Sequence, residues 1–265
     1  MRNGFNPTRR NRNIGTAKQG HGRNNRMTVP TICHYARNWW EQIDEYDVQK
    51  RRIQSRSVTF IIEKITQGFA HLCTVDDLCH ILELVPSQDW EGLDAILFRQ
   101  PTRREAMLKP VWGRLVHASD VGQPGKPTIY SGPLVILEAQ ELGKSLKWSK
   151  SLCHSDLQEL DRLRAEGHVI QDCGKHFLIT FDGRAARATQ LFRTVLHEIG
   201  HWVDLLEKVE RPAQIHSNKF ENLIEAYWAR PDEEREEFAH RYADRIQAKF
   251  KRERKIPFEP LKAEA

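Results

Sequence analysis

At 265 residues, of which 39% are hydrophobic, the chain is long enough to bury one large core or two modest ones. No apolar run approaches the length of a membrane helix and the N-terminus has no hydrophobic secretory core, so a cytoplasmic protein with no membrane contact is expected; export by a signal-independent route is compatible with the same residues. The five cysteines, Cys33, Cys73, Cys79, Cys153 and Cys173, are odd in number and lack paired CxxC spacing, which speaks against a disulfide framework and a four-cysteine zinc site.

The net charge of +5 is unevenly held: eight Lys and Arg precede the first acid, Glu41, which leaves −3 for everything after them. Residues 1–37, rich in Asn, Arg and Gly, have almost nothing to bury and are expected to be a disordered basic arm. Such an arm can touch nucleic acid, though a plain solvated tail is the simpler expectation.

Over 38–90 a helical subdomain is expected. Ile43 and Tyr46, then Val58, Ile61, Ile62 and Ile65, fall at helical steps, and Thr74-Val-Asp-Asp77 reads as a capping box ahead of Leu78, Ile81 and Leu82. A second domain is expected over 91–255, followed by a short tail over 256–265. Its period first changes to strands, at Ala95 to Phe98, Gly113 to His117 and Thr128 to Leu137, with Pro- and Gly-rich turns between them. A helix carrying Leu157, Leu160 and Leu163 stops at Gly167, and a hairpin of His168 to Gln171 and His176 to Phe181 follows.

Asp182-Gly183 closes that hairpin and offers an N-cap for a helix from Arg184 to about Glu207. Within it lies His197-Glu198-Ile199-Gly200-His201. Residues four apart share a helix face, so both imidazoles can meet one metal ion while Glu198 acts as general base toward a water bound there. The residue types and spacing are those of the HExxH zinc peptidases. The strand before the helix is expected to lie at a sheet edge beside the metal, where an extended substrate can pair with it.

Two histidines hold zinc poorly, and a third ligand must come from elsewhere in the chain. Pro231-Asp232 starts a further helix, to about Arg252, whose apolar stripe is Phe238, Ala239, Tyr242, Ala243 and Ile246. Glu236 borders that stripe and Glu237 lies about 100° further round, so both stay open as ligands, Glu236 with the better face. Cys73, Cys79 and His80, or Cys173 with His176, are weaker candidates for a second site, and buried thiols in a reduced compartment explain them more simply.

These residues carry a family resemblance. His197-Glu-Ile-Gly-His-Trp-Val-Asp204, Ser217-Asn-Lys-Phe220 and Glu236-x-x-Ala239-x-x-Tyr242 make the chain similar to gluzincins, zinc peptidases with a glutamate ligand on a later helix. Within them it most resembles the anthrax lethal factor protease domain, and more distantly the ImmA/IrrE-type peptidases. The resemblance covers roughly residues 170 to 250. It implies an α+β zincin-like domain with a small mixed sheet, a zinc cofactor held by His197, His201 and Glu236, and Glu198 as the base. Tyr227 is the candidate for the oxyanion-binding tyrosine, at a longer spacing from the ligand glutamate than in the relatives. Where the relatives place an acid or amide one turn beyond that ligand this chain has His240, so support for a ligand histidine falls to His240 or Asp204.

The expected function is therefore a zinc-dependent endopeptidase acting on a protein or peptide substrate. Two rivals share these residues: a binding or regulatory protein with a non-proteolytic module of this fold, and a zinc hydrolase of a non-peptide amide.

Overall fold

The computed structural model describes residues 39–108, 111–152 and 154–261. The basic arm, with Cys33, and Cys153 lie outside the described residues.

The first strands come where helices were expected. β1 (Trp39–Gln42), β2 (Tyr46–Ile53) and β3 (Arg56–Glu63) replace the N-terminal helical subdomain, whose only substantial helix is Val75–Leu84. Arg-Ser-Val-Thr-Phe-Ile-Ile-Glu is dense in β-branched and aromatic residues, and a buried strand needs no strict alternation, so Val58, Ile61 and Ile62 matched a helical step by coincidence. The turn between β2 and β3 is two residues long, Gln54-Ser55, both at positive φ (46° and 70°). This is the backbone of a tight hairpin turn without its usual Asn-Gly signal. The Gln54 amide donates to the carbonyls of Leu82, Glu83 and Val85, groups that the end of helix Val75–Leu84 leaves unpaired, and so offsets the strain. At the other end of that helix Thr74 and Asp77 form the expected reciprocal capping box.

The short strand β4 (Phe69–Ala70) pairs with β8 (Gln140–Glu141). With β5 (Ala95–Arg99), β6 (Gly113–Gly122) and β7 (Tyr130–Glu138), the first three strands build a mixed six-stranded sheet in the order β1-β6-β7-β5-β3-β2. β3 pairs with β5 in parallel, so no domain boundary falls at residues 90–91. Every residue of β5 is buried, as in a strand covered on both faces. A second sheet, β9 (Ser145–Ser149), β10 (Val169–Asp172) and β11 (His176–Thr180), runs in the order β10-β11-β9 and packs on Leu160 and Leu163 of helix His154–Ala165. Strands and helices together make an α+β fold.

A long helical run follows. Asp182 caps it through hydrogen bonds from the N–H groups of Arg184 and Ala185. The run then passes through a wider π-helical stretch, Ala188–Thr194, into the motif helix Val195–Leu205, and continues beyond the expected end to Ile215. In the π stretch Gln190 donates to the carbonyls of Trp112 and Glu138, which fastens the run to the sheet just before β6 and at the end of β7. Phe220–Trp228 and the glutamate helix Asp232–Arg252 follow.

Residues 256–261 are packed, not a free tail. Ile256 is buried, the Phe258 carbonyl accepts from Arg187, and the Leu261 N–H donates to Asp77. No helix among the described residues is long and apolar enough to cross a membrane.

Candidate metal centre

The motif helix and the glutamate helix cross closely because of one small residue. A Cβ on Gly200 would stand 3.0 Å from both the Cα and the carbonyl oxygen of Ala239. Glycine on one helix and alanine on the other bring the backbones together, and this carries Glu236 over the motif. Two side chains fix the crossing from below: Trp202 donates to the Glu91 carbonyl at 2.8 Å and Tyr242 to Asp89 at 2.7 Å, both acceptors in the loop that precedes β5.

At the crossing, His197 Nε2 and His201 Nε2 are 3.1 Å apart, and the Glu236 oxygens lie 3.3 Å from the first and 3.5 Å from the second. Ligands about 2.0–2.1 Å from a tetrahedral zinc stand roughly 3.3 Å from one another, so the donor set fits that ion in chemistry and in spacing. Glu237 pairs instead with Arg241 at 2.6 Å, so Glu236 is the glutamate that joins the two histidines. The two histidines hydrogen-bond the Glu236 carboxylate and hold its pKa far below the usual carboxylate range. For His201 burial opposes the charged form, but the Glu236 carboxylate prevails and its pKa is raised. No other group of three His, Cys, Asp or Glu side chains could hold a metal among the described residues, so the weaker cysteine candidates are not assembled.

Glu198 is buried beside this cluster, and its Oε2 accepts a 2.7 Å hydrogen bond from the backbone N–H of Leu115. That N–H belongs to β6. β1 covers only Ser119–Gly122 of β6, so the stretch before Ser119 has β7 on one side and no strand on the other among the described residues. The strand edge at the site is therefore β6, far from the motif in sequence. The expected strand, β11, is instead the middle strand of the second sheet.

A cavity of about 290 Å³ opens onto the centre, walled by Leu115 and His117 of β6 and by Tyr227 and Arg235 from the later helices. A larger cavity of about 630 Å³, with Trp39, Trp40 and Phe181 among its apolar walls, has Arg114 as a wall residue in common with it. The Tyr227 hydroxyl is buried with no hydrogen-bond partner; burial, and then the nearby Asp204 carboxylate, raise its pKa. Sequence reasoning missed His117, since a lone histidine at the end of a strand carries no spacing signal. Burial, then the field of His201, lowers its pKa to about 3, so its ring is neutral near pH 7.

Of the two candidates for supporting the ligand histidines, Asp204 has another task. It is fully buried and pairs with Lys208 and, at 2.8 Å, with Arg230, which ties the motif helix to the start of the glutamate helix. His240 does reach a ligand: its ring centroid is 4.5 Å from that of His197, whose Nδ1 has no partner.

Comparison with known proteins adds no relative: no family model, curated protein or solved structure matches this chain.

Proposed function

We propose that the chain is a zinc-dependent endopeptidase of the gluzincin kind. The observation that carries this reading is the convergence of His197, His201 and Glu236 on one point with the buried Glu198 carboxylate beside them, next to a strand edge left open. Zinc, when bound, would supply Lewis acidity and lower the pKa of a water toward about 7.

The chain's own residues account for the remaining work. The open edge of β6 can align a peptide backbone in extended form, since unpaired strand groups are a template for another strand. The Leu115 N–H orients the Glu198 carboxylate beside the centre, where it can act as a general base that takes a proton from water and passes it to the leaving amine. Tyr227, on the cavity wall, is a donor for the oxygen that gains charge. A cytoplasmic setting belongs to the same reading, supported by the free thiols of Cys73, Cys79 and Cys173.

The test compares new protein termini generated in a proteome by the wild-type chain and by Glu198→Gln. Wild type is expected to generate a discrete set that the variant does not. Identical sets for the two would refute the peptidase reading.

A further inference from the structure

Two residues beyond the N–H that holds Glu198, β6 takes in one extra residue. Val116 pairs with Leu134 and Ser119 with Gly132, so His117 stands in a bulge relative to β7. Bulges re-aim side chains, and here the His117 ring joins His197, Glu198 and His201 on the cavity wall. It packs edge-on against Trp228, with centroids 5.0 Å apart, and more loosely against Trp202 at 6.4 Å. Its Nε2 is buried and has no hydrogen-bond partner.

An orphaned buried nitrogen is costly, and proteins keep few of them. His117 is outside the group whose ligand atoms lie within 4.8 Å of one another, so the metal does not complete it. What the cavity lacks is an acceptor that arrives with a substrate. The Tyr227 hydroxyl already has the Asp204 carboxylate nearby as a competing acceptor. His117 Nε2 has none.

Resting on the peptidase reading, we propose that His117 is a further catalytic residue: its Nε2–H donates to the carbonyl oxygen of the bond under attack and stabilises the charge that develops there. The bulge in β6 thus places an electrophilic donor two residues from the N–H that orients the base.

The test uses the zinc-loaded full chain with His117→Phe, which keeps a ring against the tryptophans and removes the donor, and His117→Gln, which restores an N–H. On a substrate cleaved by wild type and not by Glu198→Gln, the Phe variant should lose about 100-fold in kcat with KM and zinc content little changed. The Gln variant should recover much of that loss. Two further readouts do not depend on turnover. The ¹⁵N spectrum of the histidine rings should show His117 as the Nε2–H tautomer, and acetohydroxamate, a zinc-directed probe with a carbonyl oxygen, should bind the Phe variant about tenfold more weakly. A kcat within twofold of wild type, an Nδ1–H tautomer with bare Nε2, or unchanged probe affinity would each overturn the assignment. If no Glu198-dependent cleavage exists, the peptidase reading fails, and the tautomer and probe still decide whether His117 is a donor into this cavity.

Discussion

Two glutamates of the centre are separated by their surroundings. Glu236 stands half in solvent with two imidazoles as its partners, so it is a ready anionic ligand. Glu198 is buried and held by a backbone N–H, beside His197, His201 and Glu236 and outside the group those three form. Glu198→Gln is nearly isosteric and should retain zinc and fold while hydrolysis falls by about 10²–10⁴-fold, measured as metal content and turnover on one preparation. Loss of zinc in that variant would make Glu198 a ligand. At this scale the motif was legible because helix geometry fixes the spacing of His197 and His201, and Glu236 because it borders an apolar stripe. His117 and the Leu115 N–H were not, since they reach the centre through a sheet edge 83 residues before Glu198 in sequence.

Between elements, the contact that matters most is the crossing of the motif helix and the glutamate helix. An alanine at Gly200 would gain up to about 1 kcal/mol of helix propensity but force its methyl against the Ala239 backbone, where overpacking costs about 1–3 kcal/mol. Gly200→Ala should therefore lower stability in denaturant titration and weaken zinc binding together, because separating the helices withdraws Glu236 from the histidines. A variant as stable as wild type with unchanged zinc affinity would show that the crossing is not set by this contact. Elements whose signals are local were readable in advance: the Asp182 cap, the Thr74-Asp77 box and the glutamate helix from Asp232 to Arg252. The β2–β3 hairpin was not, because its turn uses Gln54 and Ser55 at positive φ and depends on helix carbonyls distant in sequence.

Across the whole molecule, the sheet end beside the larger cavity is tied by buried charges. Arg99 reaches Glu41 at 3.2 Å and Glu138 at 3.3 Å, and Arg114 joins the same two carboxylates, so β1, β5, β6 and β7 are fastened together. Burial raises the Glu138 pKa, with Arg114 and Arg99 opposing. Arg99→Met removes one of the opposing cations and should cost about 3–5 kcal/mol near neutral pH. A carboxyl whose folded pKa is raised contributes fully only below its unfolded pKa and loses that contribution as pH rises through the folded value. The deficit of Arg99→Met should accordingly shrink toward acidic pH, and a deficit independent of pH would assign the loss to packing alone.

The metal centre itself is tested most directly by the zinc stoichiometry of the purified chain, measured side by side with Glu236→Ala and Glu237→Ala. The structure brings Glu236 within 3.3 Å of His197 Nε2 and pairs Glu237 with Arg241 instead. About one zinc per chain is expected in wild type and in Glu237→Ala, with most of it lost in Glu236→Ala. A wild-type chain that holds no zinc after supplementation, or a Glu236→Ala chain that holds as much as wild type, would contradict the site.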